Sequence, residues 1–405
     1  MKISLTCFLS IVFAVFLFSG SALAQENSKE ELIKELKALK ERTRSLEEAL
    51  EIPEKAETSD IIEDEDAEDL EEYIKRIEFS GTIEVEAVYE QIKPKVGKKE
   101  YSSDLTLATV DFAIDALITD RVRTHILFEY EDDEDFIVDE AIIHYQAKEV
   151  YVPDLSYNSP WYANIGRLTI PFGYFESLFI SGPLTEDLGE TKETAVIAGI
   201  YNPFINIAAG VFNGDIDKTG NSDRIESYVA ACKFTLPKDI SPNVGLMIGV
   251  SYISNIADSD ELADFFIEDF TDTILDYVAG FSSFLSVSLM DRFFFEAEYV
   301  GAVESFEEDK NFEPKAWNFE VAFIPIEDFE VAVRYGGSSD TLAVTLLPDT
   351  LNFLPDTQVG ICVIYEIFNN TSIGLEYLYE EFEHYEEFEN DAEVVTITAQ
   401  LAVEF

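Results

Sequence analysis

Residues 393–405 read EVVTITAQLAVEF, and apolar side chains occupy every second position from Val395 to the final Phe405. A period of two is the pattern of a β-strand with one apolar face and one polar face. Chain termini usually fray unless they are tied down. We therefore expect this strand to pair with the first strand of the chain, because a closed barrel has no unpaired edge.

The same alternation recurs along the chain, beginning with IEFSGTIEVEAVYE at residues 77–90. Two strands are predicted around the turn Thr119–Asp120 within residues 108–131. The others are predicted near 136–147, 161–171, 193–201, 204–213, 224–236, 243–254, 278–290, 292–303, 315–325, 328–337, 357–368, 371–384 and 392–405. Most are close to the roughly ten residues that cross a bilayer as a tilted strand. The total of about sixteen predicts an all-β membrane protein, a sixteen-stranded antiparallel transmembrane β-barrel over 77–405.

The connections alternate between short and long, which is typical of outer-membrane barrels. Asn202–Pro203, Met290–Asp291 and Asn369–Asn370 are tight turns, whereas 172–192 and 255–277 are long. The connection 148–160 departs from this alternation. A soluble β-sandwich is the alternative, but a sandwich does not explain the leader sequence described next or the aromatic residues near strand ends.

Residues 1–24 predict a signal peptide for Sec export, cleaved after Ala24. Lys2 precedes an apolar run from Ile3 to Phe18, and a small-residue site follows the run. A membrane anchor is the alternative, although the run is short for a span. The expected location is the bacterial outer membrane, with membrane lipids as neighbours.

Residues 25–52 change period and predict a coiled-coil helix, and the acidic residues 53–76 predict a solvated linker. The residues with the four-and-three spacing of a coiled-coil seam are Leu32, Leu36, Leu39, Thr43, Leu46 and Leu50, with Thr43 as the one polar break. Three heptads are marginal alone. We therefore expect the helix to join protomers, as a homotrimer, although an amphipathic helix without partners is the alternative.

The charge is strongly one-sided, with 82 acidic against 27 basic residues and a net charge of −55. Alternation assigns many of these charges to the barrel lumen: Glu84, Glu86, Asp111, Asp115, Arg123, Glu129, Glu140 and Arg334. Carboxylates that line a water-filled pore raise the local concentration of cations. The sequence thus predicts a cation-preferring pore, although polar filler without selectivity is the simpler interpretation.

Two stretches, ANIGRLTIPFGYFES and SGPLTEDLGETKETAVIAGIY, go beyond general barrel patterning. Together with FSGTIEVEAVYE and the leading heptads, they resemble the LbtU family of siderophore porins. The resemblance implies a sixteen-stranded barrel without a plug domain that serves iron–siderophore uptake. In porins of this size the third long loop narrows the pore. By that resemblance the candidates for the constriction are Arg167, Glu176, Glu186, Asp187 and Glu190. An ordinary surface loop over 172–192 is the alternative.

Enzyme chemistry is not expected, because the chain has three histidines and neither a nucleophile elbow nor a phosphate-binding loop. No cofactor and no nucleic-acid partner are expected. Pairing Glu129 with Glu140 would place His125 opposite His144 in the lumen, where the two rings could share a transition metal. Polar wall residues that align by chance are the simpler interpretation. The predicted function is diffusive passage of small solutes. A structural or adhesive barrel with a closed lumen is the alternative.

Overall fold

The computed structural model describes residues 76–131, 136–147, 161–220, 224–269, 273–307, 312–343, 351–352, 354–385 and 390–405. The predicted signal peptide, coiled-coil helix and almost all of the acidic linker lie outside the described residues. The connection 148–160 lies outside them as well.

Sixteen antiparallel strands form one closed barrel, which confirms the predicted number and arrangement of strands. Each strand pairs with its neighbours in sequence, and the last pairs with the first. The strands are β1 Ile77–Pro94, β2 Glu100–Thr119, β3 Val122–Glu131, β4 Ile137–Gln146, β5 Trp161–Thr169, β6 Lys192–Tyr201, β7 Ile205–Phe212, β8 Ser227–Thr235, β9 Val244–Ile253, β10 Gly280–Leu289, β11 Phe293–Ala302, β12 Lys315–Ile326, β13 Phe329–Ser339, β14 Thr357–Phe368, β15 Thr371–Tyr385 and β16 Asn390–Glu404.

The outer surface is apolar because alternate side chains of every strand point outward. Ile165, Val196, Val333 and Leu401 are among many large apolar side chains that remain exposed on the barrel wall. The short connections lie at one end of the barrel. Asn370 closes one of them with a φ of 61°, a left-handed conformation that asparagine tolerates well.

Barrel closure involves the last residue of the chain directly. The amide of Phe405 donates to the carbonyl of Gly81 at 3.0 Å, and the amide of Gly81 donates to the carbonyl of Phe405 at 3.1 Å. A Cβ atom at Gly81 would lie 2.4 Å from the Asp111 carbonyl oxygen and 2.7 Å from the Phe405 ring. A glycine is therefore required at this position of the closing seam.

Gly81→Val is expected to destabilise the closed barrel by about 1–3 kcal/mol, because overpacking forces the backbone apart. The measurement is the temperature at which the folded band in unheated gel electrophoresis converts to the unfolded band. The control is Ile83→Val, a smaller change to an outward side chain on the same strand. Equal transition temperatures for the two variants would contradict the role of Gly81.

The long connections at the other end fold inward and build an apolar core inside the barrel. Two helices contribute, α1 (Leu184–Gly189) and α2 (Asp260–Asp269), with a 3-10 turn at Ile256–Asp258. Fully buried Leu188 and Leu262 pack here with the phenylalanines of a neighbouring connection, Phe306 and Phe312.

Short strand pairs, Asp217–Lys218 with Thr273–Ile274 and Leu342–Ala343 with Leu351–Asn352, link parts of these connections. In the part of the chain that the structure describes, no helix combines the length and the apolar character needed to cross a membrane.

Candidate functional site in the barrel lumen

The connection between β5 and β6, residues 170–191, crosses the lumen and is called the inward loop below. It leaves β5 and reaches strands β11 to β15, on the far side of a sixteen-strand ring. Glu298 on β11 accepts hydrogen bonds from the backbone amides of Tyr174 at 2.7 Å and Phe175 at 3.1 Å. Glu376 on β15 accepts from the amides of Ile180 at 2.8 Å and Ser181 at 3.1 Å. Wall carboxylates therefore hold the inward loop by its backbone.

Arg334 on β13 is the central anchor of the inward loop. Its Nε donates to Glu320 at 2.8 Å, and both side chains are fully buried. Its Nη atoms donate to Ser177 Oγ at 2.6 Å and to the carbonyls of Ser181 and Gly182 at 2.7 and 2.8 Å. A buried guanidinium needs a carboxylate and several acceptors to offset its lost hydration. This arrangement supplies both.

The two sides of the lumen differ in solvent access. Inward residues of strands in the range β7 to β12, such as Val229, Val300 and Ala316, are at most 1% exposed because they pack against the apolar core. Inward residues of β1 and β2, such as Glu84 and Asp111, are only half-buried. The apolar core thus occupies the side of the lumen that β5 to β12 line, and water reaches the acidic wall of β1 and β2.

A cavity of about 380 Å³ lies between the inward loop, α2 and strands β3 to β6, and we call it the acidic cavity. Nine carboxylates and two cations line it: Glu129, Glu131, Asp139, Glu186, Asp187, Glu190, Asp260, Glu261 and Asp264, with Arg167 and Lys192. Lys192 lies 3.1 Å from Asp139, 3.9 Å from Glu190 and 4.0 Å from Glu129. Two cations leave most of this negative charge uncompensated.

Burial raises the pKa values of four carboxylates on the connections that line the acidic cavity: Glu186, Asp187, Glu190 and Asp260. The pKa of Glu186 rises to about 7, through burial first and then through neighbouring Glu190 and Asp187. The pKa of Asp187 rises to about 7, through burial and through Glu261 and Glu380. The pKa of Asp260 rises to about 6, mainly through burial. The charge of the cavity therefore changes within the neutral pH range.

Four of the five residues predicted for the constriction line this one cavity: Arg167, Glu186, Asp187 and Glu190. Glu176 does not line it and is exposed elsewhere on the inward loop. Arg167 Nε donates to the carbonyl of Asp139 at 3.1 Å.

The residues predicted as lumen charges have different surroundings. Glu86 accepts a hydrogen bond from Gln400 at 2.9 Å, and Asp115 contacts His125 at 3.0 Å. Arg123 is exposed. Arg334 is buried beneath the inward loop, so it does not present its charge to the lumen.

Sequence reasoning missed Asp139, Lys192 and Asp260. Asp139 adjoins Glu140, and strict alternation allows only one of the two to point inward. A bulge places both inward, since β4 skips Asp139 when it pairs with β3. No alternation signal marks Lys192, which begins β6 at the end of the inward loop.

The predicted pairing of β3 with β4 is wrong by two residues. Glu140 lies opposite Leu127, and His125 lies opposite Ile142 instead of His144. Alternation does not distinguish two registers that differ by two residues, because each side chain keeps the same face in both. His144 instead contacts Asn164 Oδ1 at 2.7 Å. Within the described ranges no group of three or more His, Cys, Asp or Glu side chains is arranged to hold a metal ion. The geometric basis for a metal shared by His125 and His144 is therefore lost.

No family model matches this chain. A UPF0422 protein of Coxiella burnetii is 25% identical over 315 residues, which cover 75% of this chain and 63% of that protein. A UPF0422 protein of Legionella pneumophila is 26% identical over 164 residues, covering 38% of this chain and 29% of that protein. The chain therefore spans less than two thirds of the length of these curated relatives.

Solved structures with similar folds are outer-membrane channels. The channel DcaP of Acinetobacter baumannii matches with a TM-score of 0.55 at 12% identity, over 81% of this chain and 97% of DcaP. OprB of Pseudomonas putida matches with a TM-score of 0.53 at 9% identity, over 84% and 96%. An anion-selective porin from Comamonas acidovorans matches with a TM-score of 0.51 at 9% identity, over 81% and 99%. At these identities the likeness shows the fold alone: this chain has the sixteen-stranded barrel fold of outer-membrane porins.

Proposed function

We propose that this protein is an outer-membrane porin that passes small solutes by diffusion and prefers cations. The observation that carries the proposal is the asymmetry of the lumen. Inward carboxylates of β1 to β3 stay partly accessible to water, while the apolar core packs against strands β5 to β12. An exposed apolar wall around a polar interior is what a bilayer requires of a barrel.

The preference for cations is argued from this chain's own charges. One structural neighbour is an anion-selective porin, so the shared fold does not fix the sign of selectivity. Here nine carboxylates and two cations line the acidic cavity. Half-buried Glu84, Glu86 and Asp111 add further carboxylates along the water-accessible wall. Charges inside a low-dielectric wall focus the field and concentrate counter-ions.

A structural or adhesive barrel with a closed lumen is the second candidate, and the apolar core inside the barrel is the observation that favours it. Liposome swelling separates the two candidates. Liposomes that contain the protein and are placed in an isotonic solution of a small neutral solute are expected to swell. A rate equal to that of protein-free liposomes would favour the closed barrel.

Iron–siderophore uptake is the narrower proposal, and it rests on the motifs that resemble the LbtU family. None of the relatives and structures reported above carries that family name. Growth on defined iron–siderophore sources, with and without the gene, is the test. A protein-dependent difference confined to one iron source would support uptake, and equal growth on every source would remove it.

The narrower proposals about the chain before β1 are cleavage after Ala24 and trimer formation through the helix at 25–52 and the barrel sides. A mature chain that lacks residues 25–76 is expected to form a barrel but to yield less crosslinked trimer in mild detergent. The reason is that the heptad leucines supply contact area outside the barrel. Equal trimer yields from the full-length and shortened chains would contradict a role for the helix.

A further inference from the structure

A second cavity lies in the lumen, and its chemistry is opposite to that of the acidic cavity. Its volume is about 120 Å³. The start of the inward loop covers it, with Pro171, Gly173 and Tyr174 in its lining. It also contacts Tyr162 on β5, five residues before the Arg167 that lines the acidic cavity. Five strand residues span about 16 Å, so the two cavities lie at different depths.

The charge of this second cavity is unusual for this chain. None of the twelve described residues that line it carries a carboxylate, and Lys233 is the one cation among them. Acidic residues outnumber basic ones 82 to 27 in the chain. Pairing with a neighbouring carboxylate therefore does not explain why Lys233 lies in the lumen. Among the described residues no carboxylate lies within 4.0 Å of Lys233 Nζ.

Further hydrogen-bonding groups converge on the same space. The Tyr162 hydroxyl donates to Asn206 Oδ1 at 3.1 Å, which leaves the Asn206 amide hydrogens available. Ser251 Oγ accepts from the Gly173 amide at 3.0 Å, so its own hydroxyl hydrogen can still donate. Tyr174 stacks on Phe284 with 4.5 Å between ring centroids and forms an apolar wall. An ammonium, an amide and a hydroxyl beside an apolar wall suit a small anion with a short hydrocarbon part.

We propose that this cavity is a binding site for a short-chain carboxylate, with Lys233 as the charged ligand and Asn206 and Ser251 as neutral donors. The inference rests on the proposed function, because a permeable lumen is what brings solutes to Lys233. A solute that bears an amine and a carboxylate would meet the acidic cavity at one depth and Lys233 at another. The site therefore extends the proposed permeants from simple cations to small dipolar solutes.

The test is a ligand-observed NMR titration of butyrate against the full mature protein in detergent. Butyramide, of the same shape but uncharged, is the control ligand. Butyrate is expected to bind the parent, and Lys233→Gln is expected to weaken binding by about tenfold or more, since charged hydrogen bonds dominate such sites. Lys233→Arg is expected to retain most of the binding. The control variant is Lys238→Gln, a turn lysine whose side chain is 79% exposed.

Each outcome decides the inference. Loss of binding in Lys233→Gln alone, with an unchanged folded band in unheated electrophoresis, supports it. Equal butyrate binding by Lys233→Gln and the parent, or equal binding of butyramide and butyrate, overturns it. The titration needs no transport, so a barrel that fails to swell liposomes but binds butyrate through Lys233 would refute the porin and keep the site. A conducting porin without binding would refute the site alone.

Discussion

Arg334→Leu is expected to lower the free energy of unfolding by about 3–5 kcal/mol, because it leaves the buried Glu320 carboxylate without its partner. It also removes the donors to Ser177, Ser181 and Gly182 that fix the inward loop. The guanidinium further lies 4.3 Å from the centroid of the Phe179 ring, and this contact is lost as well. The freed loop should leave the lumen, so single-channel conductance should rise while the barrel persists.

Two further variants separate the loop anchor from a general effect of lost charge. Arg292→Leu, on an exposed turn, should change neither stability nor conductance. Arg334→Leu combined with Glu320→Leu should recover part of the stability, because no unpaired buried charge remains, but it should keep the raised conductance. The free energy of unfolding is measured by denaturant titration, and the conductance is measured in planar bilayers. If Arg334→Leu matched Arg292→Leu in both measurements, the anchoring account would be wrong.

Cation preference is expected to depend on pH through the acidic cavity. The pKa values of Glu186 and Asp187 are raised to about 7 by burial, so both ionise as the pH rises through neutrality. The ratio of cation to anion permeability should therefore be larger near pH 8 than near pH 5, where these groups are protonated and neutral.

The same raised pKa values predict the direction in which the free energy of unfolding changes with pH. A carboxylate with a folded-state pKa of about 7 and an ordinary unfolded pKa near 4 holds more protons in the folded state between these values. Its contribution therefore destabilises the fold progressively as the pH rises from about 4 to 7. The combined substitution Glu186→Gln, Asp187→Asn and Glu190→Gln should flatten both pH profiles. Asp239→Asn, on an exposed turn, is the control, and an unchanged selectivity profile in the triple variant would contradict the prediction.

The barrel could be predicted from the sequence because each strand has to present apolar side chains to the bilayer on one face. Alternation in segments such as 357–368 and 371–384 left little freedom in strand position, and the structure places those strands at Thr357–Phe368 and Thr371–Tyr385. Barrel closure followed from the same logic, since an unpaired last strand would leave polar backbone groups in hydrocarbon.

The contents of the lumen were less predictable. An alternating pattern shows which face of a strand a residue occupies, but not which residues it contacts. The alternating pattern does not reveal that the inward carboxylates Glu298, Glu320 and Glu376 hold the backbone of the inward loop. The apolar core inside the barrel could not be predicted from the sequence. Inward Ile197 and Val229 lie on strands that are largely apolar, so nothing in the pattern distinguishes them. The register of β3 with β4 was also not predictable, since a shift of two residues changes the partner of His125 but leaves every side chain on the same face.

The reversal potential of single channels in a potassium chloride gradient at low salt tests the central claim most directly. The acidic lumen predicts a clear preference for potassium that shrinks toward molar salt, where the screening length falls to about 3 Å. A reversal potential near zero at low salt, or one of the sign that chloride preference gives, would contradict a cation-preferring pore.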